Sequence, residues 1–170
     1  ERSLIASIIP PYYFCGDTAQ TVKNNLSYKN SLYIVAIFNS FIADFEIRKK
    51  ITSHLDMHFM HTLHIPRLLE NSTGQEKKTF DSLVERAAKL ICTTEEFADL
   101  WKEVMGTKWT KNSGVTDDKA RAKLRAEIDA IVAHLYGITE DEFVHILSTF
   151  PIVKEDVKKL TLEEFRKWKR

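Results

Sequence analysis

The hydrophobic and polar positions of this chain follow a helical period over most of its length. From residue 30 to residue 50, apolar side chains recur every three or four positions and others fill the opposite side. We therefore expect one core helix that is apolar nearly all round. Arg48, Lys49 and Lys50 end this helix, where cations suit the C-terminal dipole. After residue 79, amphipathic stripes predict a succession of helices that pack through one face.

Local signals predict where the later helices begin and end. Glycines at 106 and 137 and the proline at 151 are typical of helix ends. A capping box, in which Ser or Thr and a Glu three residues later exchange hydrogen bonds, opens a helix. Such pairs are Thr93 and Glu96, Thr139 and Glu142, and Thr161 and Glu164. The polar run 108–116 is expected to be a mobile loop.

Two stretches have a period of two instead. Residues 3–9 are apolar and β-rich and stop at two prolines, while residues 54–65 carry apolar side chains at odd positions and polar ones at even positions. Only Met60 and His61 break that second alternation, which predicts a half-buried strand with one polar face. The sequence thus predicts an α+β, predominantly helical fold. Short strands lie in residues 1–70, and a helical bundle follows over residues 79–170.

Composition limits the class of protein. The chain has 170 residues and a formal net charge of +1, so strongly basic and strongly acidic proteins are excluded. Neither a membrane-spanning run nor a signal peptide is recognisable. Cys15 and Cys92 lie far apart without Cys-x-x-Cys spacing, which favours reduced thiols in the cytoplasm. Because the chain starts at Glu1 within a strand-like pattern, we expect a fragment of a larger protein.

Four of the six histidines lie close together, at positions 54, 58, 61 and 64. Neutral imidazoles at close spacing suit a zinc site. On one strand, however, His54, His58 and His64 would span about 33 Å at about 3.3 Å per residue, so they cannot meet at one ion without a sharp bend. A polar face that offers hydrogen-bond donors is the preferred interpretation. A metal site and a simple solvated surface remain the alternatives.

Ile9, Pro10, Pro11 and Tyr12 resemble the short catalytic motif of DNA amino-methyltransferases, in which Asn, Asp or Ser precedes Pro-Pro-aromatic. Ile9 has no side-chain acceptor for a target amino group, and no Gly-rich cofactor loop is present. We therefore expect a rigid turn here, with no catalysis, no cofactor and no metal in this chain. The second basic cluster, residues 166–170, is interpreted as a solvated helix end.

Several blocks of this sequence resemble one family over nearly the whole chain. They are ERSLIASIIPP at 1–11, FNSFIADF at 38–45, TSHLD at 52–56 with HIP at 64–66, AEIDAIVAHLYG at 126–137 and ILSTFP at 146–151. These blocks are similar to the C-terminal target-recognition region of Eco57I-like, TaqI-like N6-adenine DNA methyltransferases and fused methyltransferase-nucleases of bacterial restriction-modification systems.

The resemblance implies that residues 1–70 are the C-terminal part of a DNA target-recognition domain and that residues 79–170 close it. The fragment would bind double-stranded DNA in the cytoplasm for a catalytic domain of the same parent chain. That parent domain would use S-adenosylmethionine, with or without a fused nuclease. Phosphate contacts are expected from Arg48, Lys49 and Lys50, and base-edge contacts from Ser53, His54, Asp56 and His58.

Two departures from the family weaken the base-reading assignment. Asp56 stands where the family usually has Asn, which adds a charge that phosphate repels, and Ser53 replaces Thr. A second hypothesis of another class is a helical protein-interaction module. In that case the capped helices after residue 79 dock onto the parent methyltransferase or onto a partner subunit. Binding of DNA through phosphates weakens steeply with salt, whereas apolar docking need not.

Overall fold

The computed structural model describes residues 2–10, 13, 15–16, 21–22, 26–51 and 57–168. Within these residues all regular secondary structure is helical. The eight α-helices are α1 (Tyr28–Phe38), α2 (Phe41–Arg48), α3 (Met57–Met60), α4 (Gly74–Ile91), α5 (Ala98–Met105), α6 (Asp118–Leu135), α7 (Glu140–Ser148) and α8 (Glu155–Lys167), and a 3₁₀ turn (Glu95–Phe97) precedes α5.

The predicted α+β class is therefore wrong for the described part of the chain, because neither predicted strand is present there. Residues 3–9 alternate between buried and exposed side chains, but their backbone groups bond to side chains rather than to another strand. In the second stretch, residues 57–60 form a helical turn. It closes where the Thr62 amide and hydroxyl both donate to the Phe59 carbonyl oxygen. The break in alternation at Met60 and His61 coincides with the end of this turn.

The expected core helix at 30–50 is two helices, α1 and α2, because Asn39 and Ser40 interrupt it. The buried Ser40 hydroxyl donates to the Ile37 carbonyl, 2.7 Å away, and accepts the Ala43 amide as the N-cap of α2. Short polar side chains compete in this way with the helical backbone hydrogen bonds. The amide of Asn39 also donates to the Val35 carbonyl oxygen at 2.9 Å.

The predicted helix signals have mixed outcomes. Thr139 and Glu142 form a complete capping box at the start of α7, as predicted. Gly106 and Gly137 follow α5 and α6 with φ angles of 70° and 72°, a conformation that favours glycine. The other two capping boxes are wrong. Thr161 lies inside α8, where its hydroxyl donates to a backbone carbonyl, and the 3₁₀ turn before α5 starts without a side-chain cap.

The run 108–116, expected to be mobile, is anchored to the end of α4. The indole N–H of Trp109 donates to the Cys92 carbonyl at 2.9 Å, and the Val115 amide donates to the Lys89 carbonyl at 2.8 Å. These bonds satisfy carbonyls that the end of a helix leaves unpaired. Gly114 lies so close that a Cβ atom there would clash with the Cys92 carbonyl oxygen.

The larger of two apolar clusters among the described residues lies at the centre of the bundle, and Leu4, Ala43, Ile47 and Leu63 form the smaller one. Helix α6 packs against α4 and α8, while α1 packs against α4, and α2 against α6 and α7. Fully buried members come from both sides of the polar stretch at 71–76, for example Leu32 and Ile37 from the first side and Phe80, Ile131 and Phe143 from the second. The division into a recognition part and a closing part stays a prediction.

Polar side chains of the helices hold the extended N-terminal segment. Asp44 is fully buried, and its Oδ1 atom accepts the amides of Ser3 and Leu4 at 2.7 Å each. The side-chain amide of Asn39 pairs with both backbone groups of Ala6, at 3.1 Å and 2.7 Å. Asn39 thus takes the place of a neighbouring strand's peptide group.

A buried ion pair ties the same segment to α6. The Arg2 guanidinium lies 2.6 Å from Oδ2 of Asp129, donates to the Asn39 carbonyl and lies 3.9 Å from the centroid of the Phe41 ring. The other oxygen of Asp129 accepts the Phe41 amide at 2.7 Å. Burial raises the pKa of Asp129, while Arg2 and the Phe41 amide act in the opposite direction.

Candidate nucleic-acid interface

The three predicted phosphate-binding residues lie at the C-terminal end of α2, and Arg48 is the first of them. Its side chain is exposed, and one guanidinium N–H donates to the carbonyl of Thr149 at 3.3 Å. The guanidinium lies 4.6 Å from the centroid of the Phe150 ring. Arginine has five N–H donors, so most of its donors are free for an anion. No carboxylate pairs with it among the described residues.

Lys49 is also exposed, and its ammonium lies 3.8 Å from the centroid of the Phe45 ring. A cation over an aromatic face needs no directed hydrogen bond. Among the described residues, the Lys49 ammonium has no acidic partner and donates no hydrogen bond. Lys49 and Arg48 therefore present two positive charges side by side at the end of one helix.

Lys50 differs from its two neighbours because its ammonium is already used. It bonds to Oε1 of Glu46 at 3.2 Å and to the carbonyl and hydroxyl oxygens of Thr62 at 3.0 Å and 3.1 Å. These contacts tie the end of α2 to the turn after α3 and neutralise the charge. The structure thus places the three predicted phosphate-binding residues together. Arg48 and Lys49 have no acidic partner among the described residues, whereas Lys50 has a structural role.

The predicted base-reading residues Ser53, His54 and Asp56 lie outside the described residues. His58 lies on α3, exposed, with its ring centroid 4.4 Å from that of Phe59. The assignment of these four residues to base edges stays a prediction. Within the described part of the chain no group of three or more side chains is placed to hold a metal ion.

A cleft of about 600 Å³ lies between α1 and residues 61–69, next to the end of α2. The sequence analysis weighed its histidines as a strand face or a metal site and did not single out Arg67. Three exposed basic or imidazole side chains line this cleft: His61, His64 and Arg67. A strand would place His61 and Arg67 on the face opposite His64, so the strand interpretation concealed this grouping.

Two tyrosines bond to the wall formed by residues 61–69, and one of them, Tyr33, lines the cleft from α1. The hydroxyl of Tyr33 donates to the carbonyl of Pro66 at 2.7 Å, and that of Tyr136 donates to the carbonyl of His64. Burial raises the pKa of both phenols, so they stay neutral donors. Leu63 and Leu68 are buried on either side of this stretch. These contacts hold the backbone of residues 64 and 66.

Large exposed apolar side chains are unevenly distributed. Among the described residues, Ile5 is 76% exposed and Val22 is 64% exposed. Five other large apolar side chains before residue 70 are exposed: Ile9, Tyr13, Leu26, Tyr28 and Leu69. In the described residues after 70, the exposed ones are Val144, Ile152 and Val157. Where such side chains form one contiguous patch, they favour a protein interface.

In the described part of the chain, no helix has both the length and the apolar character that a bilayer span requires. Comparison of this chain with family models, with curated proteins and with solved structures finds no match. The geometry of the end of α2 and of the neighbouring cleft is therefore the basis for assigning a function.

Proposed function

We propose that this chain is a DNA-binding target-recognition region that serves an adenine-N6 methyltransferase domain of the same parent chain and has no catalysis of its own. The observation that supports this best is the pair of exposed cations Arg48 and Lys49, which have no acidic partner among the described residues. An anionic polymer would satisfy both. Catalysis and S-adenosylmethionine belong, in this proposal, to the parent domain.

In this function the two cations fix the chain on the DNA backbone. Each neutralised phosphate releases counterions, which makes the affinity fall with rising salt. Lys50 acts indirectly, because its bonds to Thr62 hold the turn after α3 against α2. Ser53, His54, Asp56 and His58 would then lie near base edges, where donors and acceptors distinguish base pairs.

A salt titration of duplex binding tests the proposal. The double variant Arg48→Ala/Lys49→Ala should bind a duplex of about 25 base pairs more weakly, and the slope of log K against log salt should fall by about two. The control Lys111→Ala/Lys119→Ala removes the same charge from exposed positions elsewhere and should keep the wild-type slope. Equal affinity and slope for wild type and the first variant would overturn the proposal.

The second candidate function is docking onto the parent methyltransferase or a partner subunit. The distribution of exposed apolar side chains favours it, although it places the docking face before residue 70 rather than on the later helices. Co-purification with a separately expressed catalytic part tests it. Ile5→Lys/Val22→Lys should abolish co-purification, while Val144→Lys/Ile152→Lys should not. Retention by the first variant would exclude this face.

A further inference from the structure

We propose that the cleft between α1 and residues 61–69 binds a nucleotide, with its base and sugar against the apolar wall and its phosphate at His61, His64 and Arg67. The inference deepens the proposed function and rests on it for the class of ligand. It adds the cleft as a second contact with nucleic acid, separate from the end of α2. The sequence analysis assigned no residue to this second contact.

Size and lining suit such a ligand. The volume of about 600 Å³ lies within the range of about 300–1,000 Å³ typical of small-molecule sites. Much of the lining is apolar, with Ile34 on α1 facing Ile65, Pro66 and Leu69 across the cleft. An apolar wall with a few polar groups at one side matches a flat base that carries a charged phosphate.

The charge around the cleft favours an anion. None of the described residues that line it is acidic. The nearest acid along the chain, Glu70, lies 3.4 Å from the Lys29 ammonium and accepts the Ser27 hydroxyl at 2.9 Å. By contrast, the exposed side chain of Arg67 makes no ion pair or hydrogen bond within the described residues. Its guanidinium can therefore bind phosphate through two N–H groups.

The cleft adjoins the end of α2. Thr62 lines the cleft and accepts two hydrogen bonds from Lys50 at the end of α2. Lys50 therefore links the two proposed contacts. Hydrogen bonds from Tyr33 and Tyr136 hold the carbonyls of Pro66 and His64, which reduces the ordering that binding requires.

Calorimetric titration tests the inference with three probes: 5′-deoxyadenosine monophosphate, deoxyadenosine and inorganic phosphate. We expect the monophosphate to bind at least tenfold more tightly than either of the other two. Arg67→Ala should weaken monophosphate binding at least fivefold, and Leu69→Trp, which fills the mouth of the cleft from an exposed position, should abolish it. The far-ultraviolet circular dichroism of both variants should match that of the wild type.

The Arg48→Ala/Lys49→Ala variant separates this inference from the proposed function. It should lose duplex affinity but bind the monophosphate as the wild type does. If duplex binding depends on these two cations while the monophosphate does not bind, the inference fails and the proposed function stands. Equal binding of phosphate and monophosphate, or no effect of Leu69→Trp, would also overturn the inference. If the monophosphate binds but the duplex does not, the proposed function fails and the cleft remains a nucleotide site.

Discussion

The N-terminal segment and the helical bundle it rests on differ in how much directed polar contact holds them. Polar groups of distant helices bond to residues 2–9, with Asp44 and Asn39 on their backbone and Asp129 on Arg2, while one apolar side chain of the segment, Leu4, is buried in a small cluster. The bundle depends on apolar side chains, such as Phe80 and Phe143, which are fully buried. Apolar burial is nearly indifferent to direction, whereas each polar anchor needs one partner in one place.

The two regions also differ in what they expose. Before residue 70, two cations without acidic partners among the described residues and a cleft are open to a ligand. Exposed apolar side chains occur in both regions, for example Ile5 in the first and Ile152 in the second.

The largest effect is expected in the bundle. Phe143 is fully buried, and its ring centroid lies 5.1 Å from that of Phe165. Phe143→Ala should lower the free energy of unfolding by about 3–5 kcal/mol, since it removes apolar burial and leaves a cavity. Urea denaturation measures this loss. A loss below 1 kcal/mol would contradict the assignment of this residue to the core.

The polar anchor of the N-terminal segment comes next. Asp129→Ala should lower the free energy of unfolding by about 2–3 kcal/mol, because it leaves the Phe41 amide and the Arg2 guanidinium without their acceptor. Asp129→Asn keeps one acceptor oxygen for the Phe41 amide and should lose less. Urea denaturation measures both losses. If Asp129→Asn lost as much free energy of unfolding as Asp129→Ala, this prediction would be wrong.

The neighbouring lysines at the end of α2 should separate stability from binding. Lys50→Ala removes three hydrogen bonds and should lower the free energy of unfolding by about 0.5–1.5 kcal/mol. Lys49→Ala should lower it by about 0.5 kcal/mol or less and should weaken DNA binding more than Lys50→Ala does. Thermal melts rank the two variants by stability, and duplex titrations rank them by DNA affinity. If the same variant lost more in both measurements, this division of roles would be contradicted.

The smallest effects are the pH dependences, which have opposite signs for Asp129, the anchor of the N-terminal segment, and for Glu142 in the capping box of α7. Burial raises the pKa of Asp129 above 3.8, so the folded state binds its proton more readily than the unfolded state does. The stability of wild type relative to Asp129→Asn should therefore increase as the pH falls through the raised pKa of the folded state. Hydrogen bonds from Thr139 lower the pKa of Glu142 below 4.5.

For Glu142 the stabilisation is present above pH 4.5 and disappears as pH falls through the lowered pKa of the folded state. The stability of wild type relative to Glu142→Gln should therefore decrease on acidification. Denaturation curves between pH 7 and about pH 3 measure both differences. Slopes of the same sign would refute the contrast between a desolvated carboxylate and a hydrogen-bonded one.

The bundle could be predicted from the sequence where the determinants are local. Apolar spacing and the Thr139 capping box located α7, and glycines marked the ends of α5 and α6. The start of α8 was missed because Thr161 and Glu164 satisfy the capping pattern from inside a helix. In that position the Thr hydroxyl bonds to the preceding turn instead.

The region before residue 70 was predicted less well because its partners are distant in sequence. The alternation of residues 3–9 is real, but the acceptors that replace a strand partner lie 33 to 41 residues away. The basic residues 48–50 lie at the end of a helix, as predicted, while their role in binding stays a prediction. The engagement of Lys50 by Thr62, and the cleft beside it, required the fold of residues 57–69.

Native-state hydrogen exchange tests most directly whether polar anchors hold the N-terminal segment as a separate unit. The account predicts that the amides of Leu4 and Ala6 exchange through openings of lower free energy than that of Val132 in the core of α6. In Asn39→Ala, the protection of Ala6 should fall by more than that of Val132. If Ala6 and Val132 open with the same free energy in wild type and lose the same amount in the variant, the two regions form one cooperative unit and the account is contradicted.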